Sequence, residues 1–166
     1  MSDGPAAQGE AGVRHRLVDP VGFEGLTLGQ RFPLPSRTVL SAHFSAFQAL
    51  SGDNHPIHYD RRYCAEHGHR DLLAHGLQVG CFAASGAGLF PHLVGDALIG
   101  FLEQSSRFRA PVYLGDTLST VLEVVELRPQ RTTGVVVLAV EIRNQDGVVV
   151  LEGRQSYLLR LAEGGR

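Results

Sequence analysis

The chain has 166 residues, of which 43% are hydrophobic and 19% charged, and its formal net charge is −2 at pH 7. These values are typical of a soluble globular domain that folds without disulfides or metals, and they exclude a broad basic surface for nucleic acid or anionic membranes. Cys64 and Cys81 lie far apart and form no redox or metal motif, so we predict a reduced, cytoplasmic setting.

The chain is predicted to begin with a mobile arm, Met1–Pro20, which is rich in glycine, alanine and charge and has no periodicity. This arm lacks the charged start and apolar run of a signal peptide. A single domain over residues 21–166 follows. Its first element, Leu28–Leu40, is typical of a strand that Pro33 and Pro35 weaken or bend.

Two helices are predicted next. Ser41 is a suitable cap for a helix through Leu50, and Gly52 is placed to end it. Asp60 is a suitable cap for a second helix, from Arg61 to about His67.

The stretch Leu72–Gly95 has no Asp, Glu, Lys or Arg and is long enough to cross a bilayer. Its histidines, glutamine, proline and glycines make it too polar for that role, so we predict a buried helix over Gly76–Phe90 and no membrane span. Small residues recur there at every fourth position, which lets a helix lie close against a sheet. They are Gly76, Gly80, Ala84 and Gly88.

The last third of the chain has β-type patterning. The predicted strands are Ile99–Phe108, Thr117–Leu127, Thr132–Arg143 and Val148–Leu161, and Asp146-Gly147 forms a hairpin turn before the last of them. Strand, helices and then an antiparallel meander indicate an α+β fold, in which a curved antiparallel sheet wraps around a central apolar helix.

The most informative segment is Ser-Gly-Asp-Asn-His-Pro-Ile-His-Tyr-Asp, residues 51–60. On a helix, Asp53 and His58 would diverge by about 140°, and Pro56 disfavours a helix there. The two side chains therefore converge only on an irregular loop, where a carboxylate and an imidazole can share one water molecule. Such an acid–base pair is what adding water to a double bond, or removing it, requires.

These residues resemble the hydratase motif of the MaoC-like dehydratases, which include the (R)-specific enoyl-CoA hydratases. Two further segments carry the resemblance: Ala74-His-Gly76, and Pro111 with Gly115-Asp-Thr-Leu118. The similarity covers about Gly22 to Leu161. It implies a hot-dog fold, and the absence of an internal repeat predicts a single hot dog.

The resemblance implies a role for each matching residue. Asp53 and His58 would hold the reacting water, and the backbone N–H of Gly76 would stabilise the thioester oxyanion at a helix N-terminus. His75 would contribute to the same oxyanion and substrate-binding site as Gly76.

Two weaker candidates come from departures from the family pattern. His55 stands where the motif usually has asparagine. Ala84 occupies the position of a common supporting serine, and Ser85 follows it, turned by about 100° on a helix.

The implied activity is reversible addition of water to a trans-2-enoyl-CoA, giving an (R)-3-hydroxyacyl-CoA. Coenzyme A would be part of the substrate rather than a bound cofactor, an acyl carrier protein is an alternative carrier, and the family pattern implies a homodimer. Two other functions remain open: a hot-dog acyl-CoA thioesterase, and a non-catalytic protein that binds acyl thioesters.

Basic residues suggest two further sites. Five histidines (His55, His58, His67, His69 and His75) raise the alternative of a zinc site, but their spacings match no familiar zinc motif, so we predict no metal. Five arginines are candidates for the phosphates of coenzyme A, although each is more simply explained as a solvated surface charge. They are Arg61, Arg62, Arg70, Arg107 and Arg109.

Overall fold

The computed structural model describes residues 16–162, so all but the end of the predicted arm lies outside the described residues. Within that range the strands are β1 (Arg31–Pro33), β2 (Arg37–Thr38), β3 (Leu98–Phe108), β4 (Thr117–Pro129), β5 (Thr133–Arg143) and β6 (Val149–Arg160). The helices are α1 (Ser41–Ser51), α2 (Arg61–Glu66), α3 (Gly76–Gly80) and α4 (Phe90–Val94). None of these helices has the length and apolarity that crossing a membrane requires.

The strands form one antiparallel sheet in the order β1-β4-β5-β6-β3, with β2 also paired to β4. The predicted meander is correct for β4, β5 and β6. It is wrong for β3, which pairs with β6 instead of β4. The reason is the connection after β3: the loop through Pro111 is held by a bridge between Leu73 and Tyr113 and is too long for a tight hairpin.

The core lies between the concave face of this sheet and the helical segment that crosses it. β5 alternates only weakly because most of its residues are buried, as expected for a strand covered on both faces. Leu122, Leu138 and Leu159 from neighbouring strands are fully buried, and Phe82 and Phe90 pack against them from the helical side.

The central helix is shorter than predicted. α3 ends at Gly80, 3-10 turns follow at Cys81–Ala83 and Ser85–Ala87, and α4 begins only at Phe90. Gly86 and Gly88 disfavour a helix by about 1 kcal/mol each relative to alanine. The carbonyl groups freed by the break have other partners: Phe82 accepts from the Thr120 hydroxyl (3.1 Å) and Ala83 from the Gln155 amide (2.9 Å). Side chains of the sheet thus provide hydrogen-bond donors for carbonyl groups that the break in the helix leaves free.

The predicted strand Leu28–Leu40 is split at its prolines into β1 and β2. α1 ends just before Gly52 as predicted, and Gly52 has the left-handed conformation (φ 71°). The residue before the helix is Leu40 rather than Ser41, and its N–H donates to Nδ1 of His43 (2.9 Å). The α2 cap is confirmed: the Asp60 carboxylate accepts the N–H groups of Arg62 and Tyr63. Both helix boundaries next to the loop 52–60 are therefore fixed by local chemistry.

Candidate active site

The loop 52–60 brings Asp53 and His58 together. Asp53 follows the end of α1, and His58 ends a 3-10 turn that begins at Pro56. One carboxylate oxygen of Asp53 and one ring nitrogen each of His58 and His75 lie within 4.8 Å of one another. This is the non-helical convergence that the sequence predicts, with His75 as a third member of the cluster.

His58 is buried and has a defined tautomer. Its Nδ1 lies 2.6 Å from the carbonyl oxygen of Leu73, which only accepts, so Nδ1 carries the proton and Nε2 has a free lone pair. Burial lowers the pKa of His58 below the usual 6.5; the Leu73 bond and Asp53 act in the opposite direction, whereas His75 and His55 lower the pKa further. The imidazole is therefore neutral near pH 7 and able to accept a proton.

Asp53 is exposed but held in place. Its backbone N–H donates to the Ser51 hydroxyl (3.2 Å), and one carboxylate oxygen accepts the N–H of His55 (3.3 Å). An exposed carboxylate next to a buried imidazole with a free lone pair is suited to binding a water molecule between two acceptors. Each of them is able to take a proton from that water.

His75 lies beneath this pair, with only 3% of its surface exposed. Its ring stacks on the ring of His58, with centroids 3.7 Å apart and planes 22° apart. Its Nε2 is 3.0 Å from the Tyr59 hydroxyl, and its Nδ1 is 3.0 Å from Oε1 of Gln78. Both ring nitrogens thus face protein groups rather than an open substrate site, which favours a structural role over the predicted direct contact with substrate.

Gly76 is exposed and is the first residue of α3, so its N–H has no partner within the helix. A β-carbon at this position would lie 3.1 Å from the nearest ring carbon of Phe108. Because α3 has five residues, its dipole is smaller than that of the long helix predicted from the sequence. The N–H group itself stays available as a donor.

The two weaker candidates have other partners. The Ser85 hydroxyl accepts from Tyr157 on β6 (2.9 Å), so it is bonded to the sheet rather than to His58. His55 is exposed, and its Nδ1 accepts the N–H of Ile57 (3.3 Å). His55 therefore braces the loop in the manner expected of the asparagine that the family motif usually has there.

Asp53, His58 and His75 also form a donor set of the kind found in zinc and iron sites. Two imidazoles bind one metal ion by aiming their in-plane lone pairs at a common point. Here the rings are stacked almost parallel, and both nitrogens of His75 face Tyr59 and Gln78. The residues present do not fit a metal ion.

An open cavity of about 780 Å³ adjoins this cluster. Phe47 connects the two, because it lines the cavity and its ring lies 4.7 Å from that of His75. Other lining residues are Leu77, Phe101, Phe108 and Tyr157, and none of the lining residues recorded for the described chain is charged. The volume and apolar walls suit an acyl chain.

Four of the candidate arginines form ion pairs, so they are not free for phosphates in this structure. Arg61 pairs with Asp71, Arg62 with Glu66, Arg70 with Asp116 and Arg109 with Glu152. No ion pair is recorded for Arg107 within residues 16–162.

A family model described as "MaoC like domain" matches residues 25–145. The chain belongs to the MaoC-like domain family. An (R)-specific enoyl-CoA hydratase from Aeromonas caviae is 31% identical over 134 residues, which are 78% of this chain and 92% of that protein. Other relatives are named dehydratases. The chain is therefore similar to proteins that are named hydratases or dehydratases.

Solved structures confirm the fold. A monoamine oxidase regulatory protein from Archaeoglobus fulgidus matches with a TM-score of 0.80 and 29% identity, over 89% of this chain and 99% of that chain. A Mycobacterium tuberculosis protein with a double hot-dog fold matches with a TM-score of 0.73 and 27% identity, over 89% of this chain and 46% of the other. The predicted hot-dog fold is correct.

Tyr59, Gln78, Phe47 and Phe108 were not predicted to belong to the site. Tyr59 directly follows His58, and Gln78 lies three residues after His75, one helical turn away. Those spacings were the only signals in the sequence. Phe47 and Phe108 come from distant segments and needed the tertiary structure.

Proposed function

We propose that the protein is an (R)-specific enoyl-CoA hydratase that adds water reversibly to trans-2-enoyl-CoA. The observation that carries this proposal is the unprotonated Nε2 of buried His58 beside the Asp53 carboxylate. The uncharged cavity, which Phe47 links to His75, supports an acyl thioester as the substrate. The related hydratase from Aeromonas caviae supports the choice of reaction.

The proposed mechanism uses only side chains and backbone of this chain. A water held between Asp53 and His58 attacks the β-carbon, and one of the two residues accepts its proton. The π electrons move toward the thioester and form an enolate, whose oxygen the N–H of Gly76 stabilises. A proton returned to the α-carbon completes the addition. Coenzyme A takes part as the carrier of the acyl group and not as a bound cofactor.

The first test is hydration of crotonyl-CoA, followed by the loss of its enoyl absorbance. We expect loss with the purified protein and, on chiral analysis, an (R)-3-hydroxyacyl product. A panel of longer, branched and dicarboxylic enoyl-CoAs covers other acyl groups, and acyl carrier protein substrates test the carrier. Free coenzyme A from a saturated acyl-CoA would identify a thioesterase instead. Tight binding without turnover across the panel would identify a binding protein.

The pH profile provides a second test. Because the pKa of His58 is lowered, its imidazole becomes protonated only below pH 6.5, and the protonated ring has no lone pair to accept a proton. We therefore expect kcat/KM to stay constant from neutral pH downward and to fall only when the pH passes below 6.5. Initial rates between about pH 4.5 and about pH 8 measure this limb. A limb centred above pH 6.5 would contradict a need for neutral His58 in the reaction.

We also propose that the protein is a homodimer joined through β3. This strand lies at the edge of the sheet and is eleven residues long, and Ile99, Phe101 and Leu102 on it are 47%, 52% and 53% exposed. A long apolar edge strand is a template for pairing with another chain. A second copy would cover it in the way the family pattern implies.

Light scattering is expected to give twice the mass of one chain for the wild type. Leu102→Lys places a charge on the proposed interface and should shift the protein toward monomer. Leu28→Lys is the control, because Leu28 is 66% exposed and lies away from β3. A monomeric wild type at assay concentration would contradict the proposal.

A further inference from the structure

We infer that His75, together with Tyr59 and Gln78, is a positioning unit that sets the relative placement of Asp53, His58 and the Gly76 N–H. This inference rests on the proposed hydratase function. It differs from the role that the family resemblance implies, because His75 acts here through its neighbours and not by touching the substrate.

The tautomer of the neutral His75 ring follows from its partners. The backbone N–H of His75 donates to Oε1 of Gln78 (3.3 Å), which identifies that atom as the acceptor of the amide. Nδ1 of His75 lies 3.0 Å from the same oxygen, so it must carry a proton. In the neutral ring Nε2 is then the acceptor, and the Tyr59 hydroxyl at 3.0 Å must donate to it. The Nδ1–H tautomer satisfies the contacts with Gln78 and Tyr59, and the longer contact of Nε2 with the backbone oxygen of Asp53 (3.3 Å) then carries no hydrogen.

The contacts of His75 reach all three groups that the reaction uses. Its ring covers one face of His58. Its Nε2 lies 3.3 Å from the backbone oxygen of Asp53, and its backbone leads directly into Gly76 at the start of α3. Tyr59, which holds this ring, is the residue after His58. A rotation of the His75 ring would therefore displace His58, Asp53 and the N–H of Gly76 relative to one another.

Gln78 supplies a second, independent observation. It is 3% exposed, and its Nε2 is a buried side-chain polar atom without a hydrogen-bond partner in the described part of the chain. An unpaired buried N–H₂ group is unfavourable for folding. The chain nevertheless has an amide here whose oxygen holds both N–H groups of His75. A site that accepts a local cost of this kind is typical of function rather than of stability.

The Tyr59 hydroxyl is the part of this unit that is removed with the least disturbance. In Tyr59→Phe the aromatic ring remains and Nε2 of His75 loses its donor. We expect kcat for hydration to fall by about 10–100-fold while KM changes by less than about threefold, because the ground-state contacts of the substrate remain. Tyr63→Phe is the matched control: Tyr63 lies on α2, its ring stacks on His67, and the variant should keep wild-type kcat.

A double-mutant cycle separates positioning from a general structural effect. If Tyr59 acts through the catalytic pair, Tyr59→Phe should have little further effect in an Asp53→Asn background. Full kcat in Tyr59→Phe, or losses that simply multiply in the double variant, would overturn the inference. An equal loss in Tyr63→Phe would overturn it as well.

Nitrogen-15 NMR of the histidine side chains provides a readout without substrate. In the wild type His75 should show the Nδ1–H tautomer, and Tyr59→Phe should change the signals of both His75 and His58. If the wild type shows these signals but hydrates no enoyl-CoA, the geometry is right and the proposed function is wrong. If the wild type is active but His75 shows the Nε2–H tautomer, the positioning inference is wrong and the function stands.

Discussion

Asp53→Asn is expected to lower kcat for crotonyl-CoA hydration by about 10²–10⁴-fold, the range for loss of a general acid–base group. The amide has nearly the shape of the carboxylate and still accepts the N–H of His55, but it does not take a proton from water. His58→Gln should produce a loss of the same order, because its amide can donate to Leu73 O but has no basic nitrogen. Rates over a range of substrate concentrations give kcat and KM for each variant.

The two losses should not multiply in the double variant, because both residues act on one water molecule. Asp60→Asn is the matched control: it makes the same change of carboxylate to amide seven positions along the chain. Asparagine caps helices as well as aspartate does, so α2 and the activity should both persist. Wild-type kcat in Asp53→Asn would remove the catalytic pair from the mechanism.

Stability measurements distinguish loss of chemistry from loss of fold. The Asp53 side chain is exposed, so Asp53→Asn should leave the melting temperature nearly unchanged. His58 is buried and holds Leu73, so its replacement is expected to cost more stability than that of Asp53. A variant that melts normally and has lost turnover supports a catalytic role.

Local chemistry explains why the loop 52–60 is predictable from the sequence. Gly52 adopts the left-handed conformation that ends α1, Pro56 breaks any continuing helix, and Asp60 starts α2 through its own carboxylate. These devices act over one to three residues, so the sequence alone places Asp53 and His58 on an irregular turn. The strands β4 to β6 are predictable for a similar reason, since their runs of apolar, β-branched residues and the Asp146-Gly147 turn are local.

The pairing of β3 and the broken central helix depend on distant residues. β3 pairs with β6 rather than with the next strand because the loop after β3 forms a bridge with Leu73 through Tyr113. The break after Gly80 is tolerated because Thr120 and Gln155 on the sheet donate hydrogen bonds to the carbonyl groups that the helix leaves free. No local sequence pattern predicts hydrogen-bond partners that lie so far away in the chain. The positioning role of Tyr59 is hidden in the same way, because a tyrosine after a histidine has no meaning until His75 lies against it.

The second large effect is expected at Gly76, where a pair of variants isolates one hydrogen bond. Gly76→Pro removes the backbone N–H, and Gly76→Ala keeps it. Proline is favoured at the first position of a helix, and His75 already has the extended backbone (φ −60°, ψ 140°) that a residue before proline requires. The start of α3 should therefore be preserved in both variants.

Both substitutions also introduce a β-carbon close to Phe108, so alanine measures the steric effect alone. The contact is with the outer end of the Phe108 ring, and Phe108 is 52% exposed, so the ring has room to shift by a few tenths of an ångström. We expect Gly76→Ala to lose less than about tenfold in kcat. Gly76→Pro should lose a further 10²–10³-fold or so, the typical effect of removing one oxyanion donor.

Because the two variants share the added β-carbon, the ratio of their kcat values reports the N–H group. A large ratio with similar KM would indicate that the N–H acts on the enolate oxygen as charge develops. If the N–H also bonded the thioester in the ground state, its loss in the proline variant would raise KM. Equal kcat values for proline and alanine would exclude the N–H of Gly76 as the oxyanion donor. In that case the N–H of Leu77, the next residue of α3, is the next candidate donor at the same helix start.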